Sequence, residues 1–198
     1  MGRIFYLMGK SASGKDTLYK RLRELRPELR PVVLYTTRPV RSGEEEGKEY
    51  HFVSADRMEE LEKEGRLIEK RVYETKMGLW VYATADDGQM DLEHGFYLMI
   101  GTLESFCRTR EYFGKEKLVP LYIETEDRER LLRAIERERA QARPEYAEVC
   151  RRFLADEEDF KEENLRAAGI ERRFVNREIE ACAGELAAEI GRLEEEIH

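Results

Sequence analysis

The first residues that could do chemistry form a glycine-rich segment near the start of the chain. Gly9, Gly14 and Lys15 have the spacing Gly-x-x-x-x-Gly-Lys, after an apolar run and before leucines at helical spacing. The backbone N–H groups of such a loop and the start of its helix favour a polyphosphate, whose outer phosphates the lysine reaches. The segment therefore predicts a nucleotide site. Its predicted contacts are Gly9, Ser11, Ala12, Ser13, Gly14, Lys15, Asp16 and Thr17.

The residue after Lys15 departs from the usual pattern. A serine or threonine hydroxyl usually follows the lysine and ligates Mg²⁺, whereas this chain has Asp16 and then Thr17. The helix dipole favours an acidic residue in the first turn, which would give Asp16 a purely structural role. Because an uncompensated carboxylate would repel the phosphates, we favour the metal interpretation. It predicts that Asp16 and Thr17 hold Mg²⁺.

Two arginines and a tyrosine lie in a polar segment with glycines, residues 36–54. Arg38 and Arg41 are three residues apart, and Tyr50 follows them. The planar fork of arginine fits phosphate oxygens, and a phenol adds a third donor. Arginines in loops are usually solvated, so this segment alone indicates an anion site only weakly. Combined with the glycine loop, it predicts a second phosphate site.

The same segment resembles the nucleoside-monophosphate-binding segment of guanylate kinases. It matches every position of the pattern Thr-Thr-Arg-x-x-Arg-x-Gly-Glu-x-x-Gly-x-x-Tyr-x-Phe-Val. The resemblance extends over most of the chain, although outside the two motifs it is looser. It implies that the phosphate of GMP is bound by Arg38, Arg41 and Tyr50.

Two later segments are similar to the guanine-binding residues of that family. Glu69, in Leu-Ile-Glu, stands where the family places the carboxylate that reads guanine N1–H and the 2-amino group. An ordinary glutamate at a strand end is the other interpretation. Val-Tyr-Ala-Thr resembles the family's Tyr-Gly-Thr, which implies that Tyr82 contacts phosphate and Thr84 the base. The interval from Glu69 to Tyr82 is longer than in the family, which leaves the register open.

The resemblance also assigns residues to a helical lid and to the adenine site. Arg133 and Arg137 resemble the paired lid arginines, and Arg152 resembles the arginine that follows them. Such arginines neutralise charge on the transferred phosphoryl group. Arg143 lies in an inserted segment and is a further candidate, while Asn176 resembles the strand end beside adenine. The implied catalytic residues are Lys15, Arg41, Arg137 and Arg152, and the implied ATP contacts outside the loop are Arg133 and Asn176.

One strand departs from the family. The family carries Asp-x-Asp there, with the second aspartate near GMP and the metal, but this chain has Ile100 and Thr102, and then Glu104. Thr102 stays a predicted GMP contact. Either Asp16 or Glu104 takes over the missing role, or the chemistry differs.

Composition limits the partners and the compartment. The chain has 198 residues, with 35 basic and 43 acidic side chains, a net charge of −8 that argues against nucleic-acid or membrane binding. Cys107, Cys150 and Cys182 are scattered, as in a reduced, cytosolic protein. No apolar run is long enough to span a bilayer, and the chain opens on a strand rather than a leader peptide. We expect a cytoplasmic monomer or homodimer.

Hydrophobic patterning predicts an α/β fold. Strands are predicted over 3–8, 31–35, 67–73, 79–84, 96–100, 118–124 and 172–176, with a turn near Met77 and Gly78. Helices are predicted after the glycine loop and over 56–64, with Ser54 as N-cap, and over 86–94, 126–139, 145–166 and 178–197. The family implies a three-layer P-loop kinase core with a parallel sheet, residues 1–35 and 85–198. A small strand-rich GMP-binding insert (36–84) and a helical lid (about 126–160) complete it.

These observations favour an enzyme that uses ATP and Mg²⁺ to phosphorylate GMP, and dGMP, to the diphosphate by in-line transfer. A related kinase with another phosphorylated acceptor, such as ribose 1,5-bisphosphate, is the first alternative. The missing aspartates and Asp16 favour it, while Glu69 and the intact 36–54 segment oppose it. A guanylate-kinase-like binding module without catalysis is the second alternative, which the intact Gly14–Lys15 loop and the lid arginines oppose.

Overall fold

The computed structural model describes residues 2–41, 43–75 and 78–196. Strands and helices alternate along most of this length, as expected for an α/β protein. The strands are β1 (Arg3–Gly9), β2 (Arg30–Pro31), β3 (Leu34–Thr36), β4 (Tyr50–Phe52), β5 (Leu67–Thr75), β6 (Gly78–Ala85), β7 (Phe96–Gly101), β8 (Leu118–Glu124) and β9 (Arg173–Val175). The helices are α1 (Lys15–Leu25), α2 (Ala55–Lys63), α3 (Leu103–Phe113), α4 (Asp127–Arg139), α5 (Tyr146–Asp159), α6 (Glu162–Ala167) and α7 (Ile179–Glu195).

Five parallel strands form the core sheet, in the order β2-β7-β1-β8-β9. Side chains of β1 alternate between its two faces. Tyr6 packs on one side with Phe106 of α3 and Leu165 of α6, whereas Leu7 packs on the other with α1 and α7. Helices therefore cover both faces, and the predicted α/β fold with a parallel core sheet is confirmed.

A second sheet has the order β4-β3-β6-β5. β3 pairs parallel with β4 and antiparallel with β6, and β5 and β6 form a long antiparallel hairpin. These strands cover the predicted strand-rich segment 36–84, and α2 begins after Ser54, whose Oγ accepts from the Arg57 N–H at 3.1 Å, as expected of an N-cap. The division into a core, an insert and a lid remains a prediction.

The single strand predicted over 31–35 is wrong. Its start, β2, pairs with β7 in the core sheet, whereas its end, β3, belongs to the second sheet. Between them, the Gln89 side chain accepts from the Val33 N–H at 2.7 Å and donates to the Val33 carbonyl at 3.2 Å. Because this amide satisfies both backbone groups, the chain can leave one sheet and enter the other.

Two predicted helices are also corrected. Residues 86–95 form turns instead of a helix, since Gly88 has φ +87° and the Asp91 carboxylate accepts from the Glu93 N–H at 3.0 Å. The helix predicted over 145–166 is two helices, α5 and α6, and the Asn164 amide donates to the carbonyls of Glu158 and Asp159 at the break.

The remaining differences are small. The sequence did not predict helix α3. It did predict the closing helix α7, in which Cys182, Leu186 and Ile190 are buried as expected. Met77, in the predicted hairpin turn, and the end of the predicted 178–197 helix lie outside the described residues. None of the helices in the described ranges has both the length and the apolar composition of a membrane span.

Candidate active site

The glycine loop (residues 9–15) leaves the carboxyl end of β1 at the centre of the core sheet. Gly9 pairs with Ile123 of β8, and a Cβ at Gly9 would lie 2.7 Å from the Ile123 carbonyl oxygen. Ala12 has φ +60° and Gly14 φ +88°, so two residues of the loop have a left-handed backbone conformation before α1 begins at Lys15. The fold therefore puts this loop at the edge where ligands bind in open α/β sheets.

Residues directly after β8 and β9 donate hydrogen bonds to the backbone of the loop. The Ser13 carbonyl accepts from Thr125 Oγ1 at 3.0 Å and from Asn176 Nδ2 at 2.7 Å. Arg133 Nη1 also lies beside Gly14, 3.7 Å from where a Cβ would be. Sequence reasoning selected Asn176 and Arg133 but missed Thr125, whose only signal is a polar side chain after a buried strand.

Helices α4 and α5 hold the other side of the loop. Lys10 Nζ donates to Glu157 at 2.6 Å, and the Ser11 N–H donates to Asp156 at 2.8 Å. Arg130 is fully buried and donates to the Ser11 carbonyl at 3.1 Å and to both of these carboxylates. Sequence reasoning missed this cluster, because its charges look like those of any solvated helix.

The residues predicted to hold Mg²⁺ are exposed. Lys15 Nζ lies 3.5 Å from the Asp16 carboxylate, which together with Thr17 faces solvent in the first turn of α1. The described residues hold no group of three or more carboxylate, histidine or cysteine side chains that could bind a metal ion without a substrate. Mg²⁺ commonly binds to one or two carboxylates, water and substrate phosphates, and Asp16 with Thr17 fits that mode.

Arg38 is held rigidly by the segment that it belongs to. Its Nη1 and Nη2 donate to the two oxygens of Glu44 at 2.7 and 2.6 Å. The guanidinium lies 5.0 and 5.3 Å from the ring centroids of Tyr50 and Phe52. Hydrogen bonds from Arg38 and from the Arg41 N–H lower the pKa of Glu44 to about 2. Sequence reasoning selected Arg38, Arg41 and Tyr50 but gave Glu44 no role.

The register of the long hairpin is now established. Tyr82 pairs with Arg71, and Thr84 pairs with Glu69. The rings of Tyr82 and Tyr50 are 5.6 Å apart, which places Tyr82 beside the arginine segment. Burial raises the pKa of Tyr50, while the charges of Arg38 and Arg71 lower it and that of Asp16 raises it. The hairpin therefore packs against the 36–54 segment through the rings of Tyr50 and Tyr82.

Glu69 is buried and accepts three hydrogen bonds. Its Oε1 accepts from Thr84 Oγ1 at 2.8 Å, and its carboxylate pairs side-on with Arg71, Nε to Oε2 at 3.0 Å and Nη2 to Oε1 at 3.3 Å. The structure brings Glu69 and Thr84 together as predicted for one subsite. Arg71 was missed, and its signal is its position two residues after Glu69, on the same face of the strand.

Thr102 caps α3 and borders a separate cleft. Its Oγ1 accepts from the Ser105 N–H at 3.2 Å. The cleft has a volume of about 560 Å³ and is also lined by Tyr73, Glu104 and Asp159. Glu104, one of the two carboxylates considered as replacements for the missing aspartates, therefore lies near Thr102, whereas Asp16 lies on the glycine-loop side.

The arginines selected from separate segments meet in another cleft of about 460 Å³. Arg41 comes from the 36–54 segment. Arg137 belongs to α4, Arg152 belongs to α5, and Arg143 lies in the loop between these helices. Ser11 of the glycine loop lies at the same cleft. Arg133 is not among its lining residues and instead lies at Gly14. The geometry thus puts these four guanidinium groups, together with that of Arg130, beside the predicted nucleotide loop.

Comparison with known proteins agrees with these motifs over the first part of the chain. The sequence model of the guanylate kinase family matches residues 1–85. Guanylate kinase of Mycolicibacterium paratuberculosis is 48% identical over 68 residues, 34% of this chain and 30% of that protein. Guanylate kinase of Frankia casuarinae is 43% identical over 67 residues, 34% of this chain and 36% of that protein. The chain thus matches about a third of the length of these curated relatives.

A solved structure extends the comparison to the fold. Guanylate kinase from Anaplasma phagocytophilum superposes with a TM-score of 0.65 and 23% sequence identity, covering 98% of this chain and 86% of that one. The chain is therefore similar to guanylate kinases in sequence over residues 1–85 and in fold over nearly its whole length.

Proposed function

We propose that this protein is a kinase that transfers a phosphoryl group from ATP to GMP, and to dGMP. One observation carries the proposal: Arg41 of the acceptor segment and Arg137, Arg143 and Arg152 of the helical segment line one cleft together with Ser11 of the glycine loop. A binding module without catalysis would have no need for cations between a nucleotide loop and an acceptor segment. Phosphoryl transfer needs them there, because charge develops on the transferred group.

The roles follow from position. The amides of the glycine loop and Lys15 bind the phosphates of ATP, and Asn176 and Arg133, which lie at Ser13 and Gly14, contact the same nucleotide. Arg38, Arg41, Tyr50 and Tyr82 bind the acceptor phosphate, while Glu69, Thr84 and Thr102 contact its other end. The arginines of the cleft then bring the two phosphates into line, and most of the catalysis is alignment and charge neutralisation.

We further propose that residues 126–160 act as a lid. Helix α5 has no buried residue, and only its last turn is tied to the glycine loop, through Asp156 and Glu157. Movement of its first turns toward the acceptor segment would bring Arg152 to the phosphates and exclude water. Without such closure, water beside the reacting phosphate would hydrolyse ATP.

Mg²⁺, when bound with ATP, neutralises charge on the phosphate oxygens. Asp16 and Thr17 would hold it, directly or through water, since a carboxylate and a hydroxyl in the first turn suit an ion that keeps substrate and water ligands. Asp16→Asn should raise the Mg²⁺ concentration needed for half-maximal activity at least fivefold without changing the unfolding temperature. An unchanged Mg²⁺ titration would remove Asp16 from this role.

A related kinase with a different phosphorylated acceptor is the second candidate. The pairing of Glu69 with Arg71 favours it, because this carboxylate has less capacity left to read guanine. Asp16 favours this candidate as well, since an aspartate directly after the loop lysine resembles such a kinase. An acceptor such as ribose 1,5-bisphosphate would use the same arginine cleft, with the second phosphate in place of the base.

A coupled assay of ADP release tests the proposal. The acceptors are GMP, dGMP, AMP, UMP and ribose 1,5-bisphosphate, each with ATP and Mg²⁺, and Lys15→Met serves as the inactive control. Fast turnover with GMP and dGMP is the expected result. Turnover with the sugar bisphosphate alone would establish the second candidate. Binding of GMP without turnover of any acceptor would contradict both and identify a binding module.

A further inference from the structure

Arg71 and Glu69 form a buried ion pair at the acceptor site. Both side chains lie on one face of β5, and the guanidinium is 13% and the carboxylate 3% exposed. Nε and Nη2 of Arg71 both point at the carboxylate, and Thr84 Oγ1 donates to it as well. Burial lowers the pKa of Arg71, but Glu69 together with the phenols of Tyr6 and Tyr73 raises it by more, so the pKa is raised overall and Arg71 keeps its charge.

The ion pair uses most of the acceptor capacity of Glu69. A carboxylate has about four lone-pair positions, and here three contacts occupy them, two on Oε1 and one on Oε2. Guanine offers two adjacent donors, N1–H and the 2-amino group. Glu69 can accept one of them on Oε2, but it can accept both only if it gives up a contact with Arg71.

Arg71 itself has donors to spare. Within the described part of the chain, no acceptor meets its Nη1. It pairs across the hairpin with Tyr82, and its charge acts on the phenol of Tyr50. Arg71 therefore lies beside both Glu69 and the residues proposed to bind the acceptor phosphate, and its free donors suit an oxygen of the substrate rather than an amino group.

We propose that Arg71 is a specificity-determining residue that weakens selection for the 2-amino group of guanine and favours an acceptor with an oxygen at that point. The inference rests on the proposed function, since it takes Glu69 to lie at the acceptor. The ligand class is a purine nucleoside monophosphate that lacks the 2-amino group or carries a 2-oxo group. With Glu69 free, the same site would select guanine strongly.

Isothermal titration calorimetry with GMP, IMP and XMP tests this without requiring turnover. In the wild-type protein we expect IMP to bind within about fivefold of GMP, and XMP at least as well as IMP. In Arg71→Met, the freed carboxylate should raise the preference for GMP over IMP about tenfold, the scale of a hydrogen bond to a charged group, and XMP should weaken by a similar factor. A merely structural residue would weaken all three alike.

Two further variants keep the test decisive if Arg71→Met is unstable. Arg71→Lys retains a cation but loses the side-on fork, so it should shift the GMP/IMP ratio in the same direction by a smaller factor. Lys70→Met removes a cation from the neighbouring position, where Lys70 pairs with Glu62 on α2, and should leave the ratio unchanged.

The outcomes separate the inference from the proposed function. A GMP/IMP ratio above fiftyfold in the wild-type protein, or a ratio equal within twofold in folded Arg71→Met and Arg71→Lys, would overturn the inference even if GMP is phosphorylated. If GMP binds without being phosphorylated, the proposed function fails while the ratio still decides the role of Arg71. If no purine monophosphate binds, both fail.

Discussion

Arg130 offers the sharpest test of how the glycine loop is held. It is 1% exposed and donates from Nε to the Ser11 carbonyl and from Nη2 to Asp156 at 3.2 Å. Its Nη1 donates to Asp127 at 2.6 Å and to Glu157 at 2.9 Å, and the guanidinium lies 4.8 Å from the ring centroid of Phe153. Arg130→Met keeps an apolar side chain on this ring and removes every one of these hydrogen bonds.

The cost can be worked out from the exposure of each partner. Removing one member of a buried ion pair costs about 3–5 kcal/mol, because the other charge is left without a partner. Glu157 is 38% exposed and keeps Lys10, so water and this lysine compensate it. Asp127 is 55% exposed, so water compensates it as well. Asp156 is 14% exposed and, among the residues that the structure describes, keeps only the Ser11 N–H as a partner. We therefore expect Arg130→Met to lower the free energy of unfolding by about 3 kcal/mol, the lower end of that range.

Urea unfolding measures this value, with Arg128→Met, at an exposed position of the same helix, as the control expected to change it by less than about 0.5 kcal/mol. Adding Asp156→Asn to Arg130→Met should recover part of the loss, since the uncompensated charge is then gone. A loss below about 1 kcal/mol, or no recovery in the double variant, would refute the argument that a buried charge pair holds the loop.

Three further predictions concern the loop and the acceptor segment. Gly14→Ala should weaken ATP binding at least tenfold by calorimetry, because Gly14 has φ +88° and a Cβ would overlap the amide of Asn176. The folded-state pKa of Glu44 lies below its unfolded value, so its pair with Arg38 stabilises the protein above about pH 5 and loses this effect as the pH falls toward 2. Glu44→Gln should therefore reduce the fall in the urea unfolding midpoint between pH 6 and pH 3. Arg41→Met should raise the KM of the acceptor at least tenfold in the ADP-release assay, and a change confined to ATP would reassign Arg41 to the nucleotide side.

The elements that could be predicted are those whose signal is local. Strands β1, β7 and β8 are continuous apolar runs because helices cover both faces of the core sheet, and such runs are readable from the sequence. The division of residues 31–35 between two sheets depends on Gln89, which is 56 residues away from Val33 in the chain. A short sequence window, of the length used to recognise a strand, does not contain both residues, so the break between β2 and β3 was not predicted.

The same limit applies to the site. The spacing of Gly9, Gly14 and Lys15 encodes a loop, and the loop lies where that spacing predicts. The motif does not encode which side chains of other segments bind the backbone of the loop. The pairing of Ser11 with Asp156 joins positions 145 residues apart, and sequence alone showed only one more acidic residue in a charged helix.

The paired arginines of the site differ in how easily they can change partners. Arg38 is buried and bound end-on by Glu44, so separating them would leave a buried guanidinium without its partner. Arg152 pairs with Glu148 on its own helix, but the two side chains are 56% and 34% exposed, and such a pair contributes at most about 1 kcal/mol. A phosphate can therefore take Arg152 from Glu148 at little cost, whereas it must approach Arg38 as it stands. In the proposed acceptor site Arg38 is thus the fixed arginine, and Arg152 is the arginine free to follow the substrate.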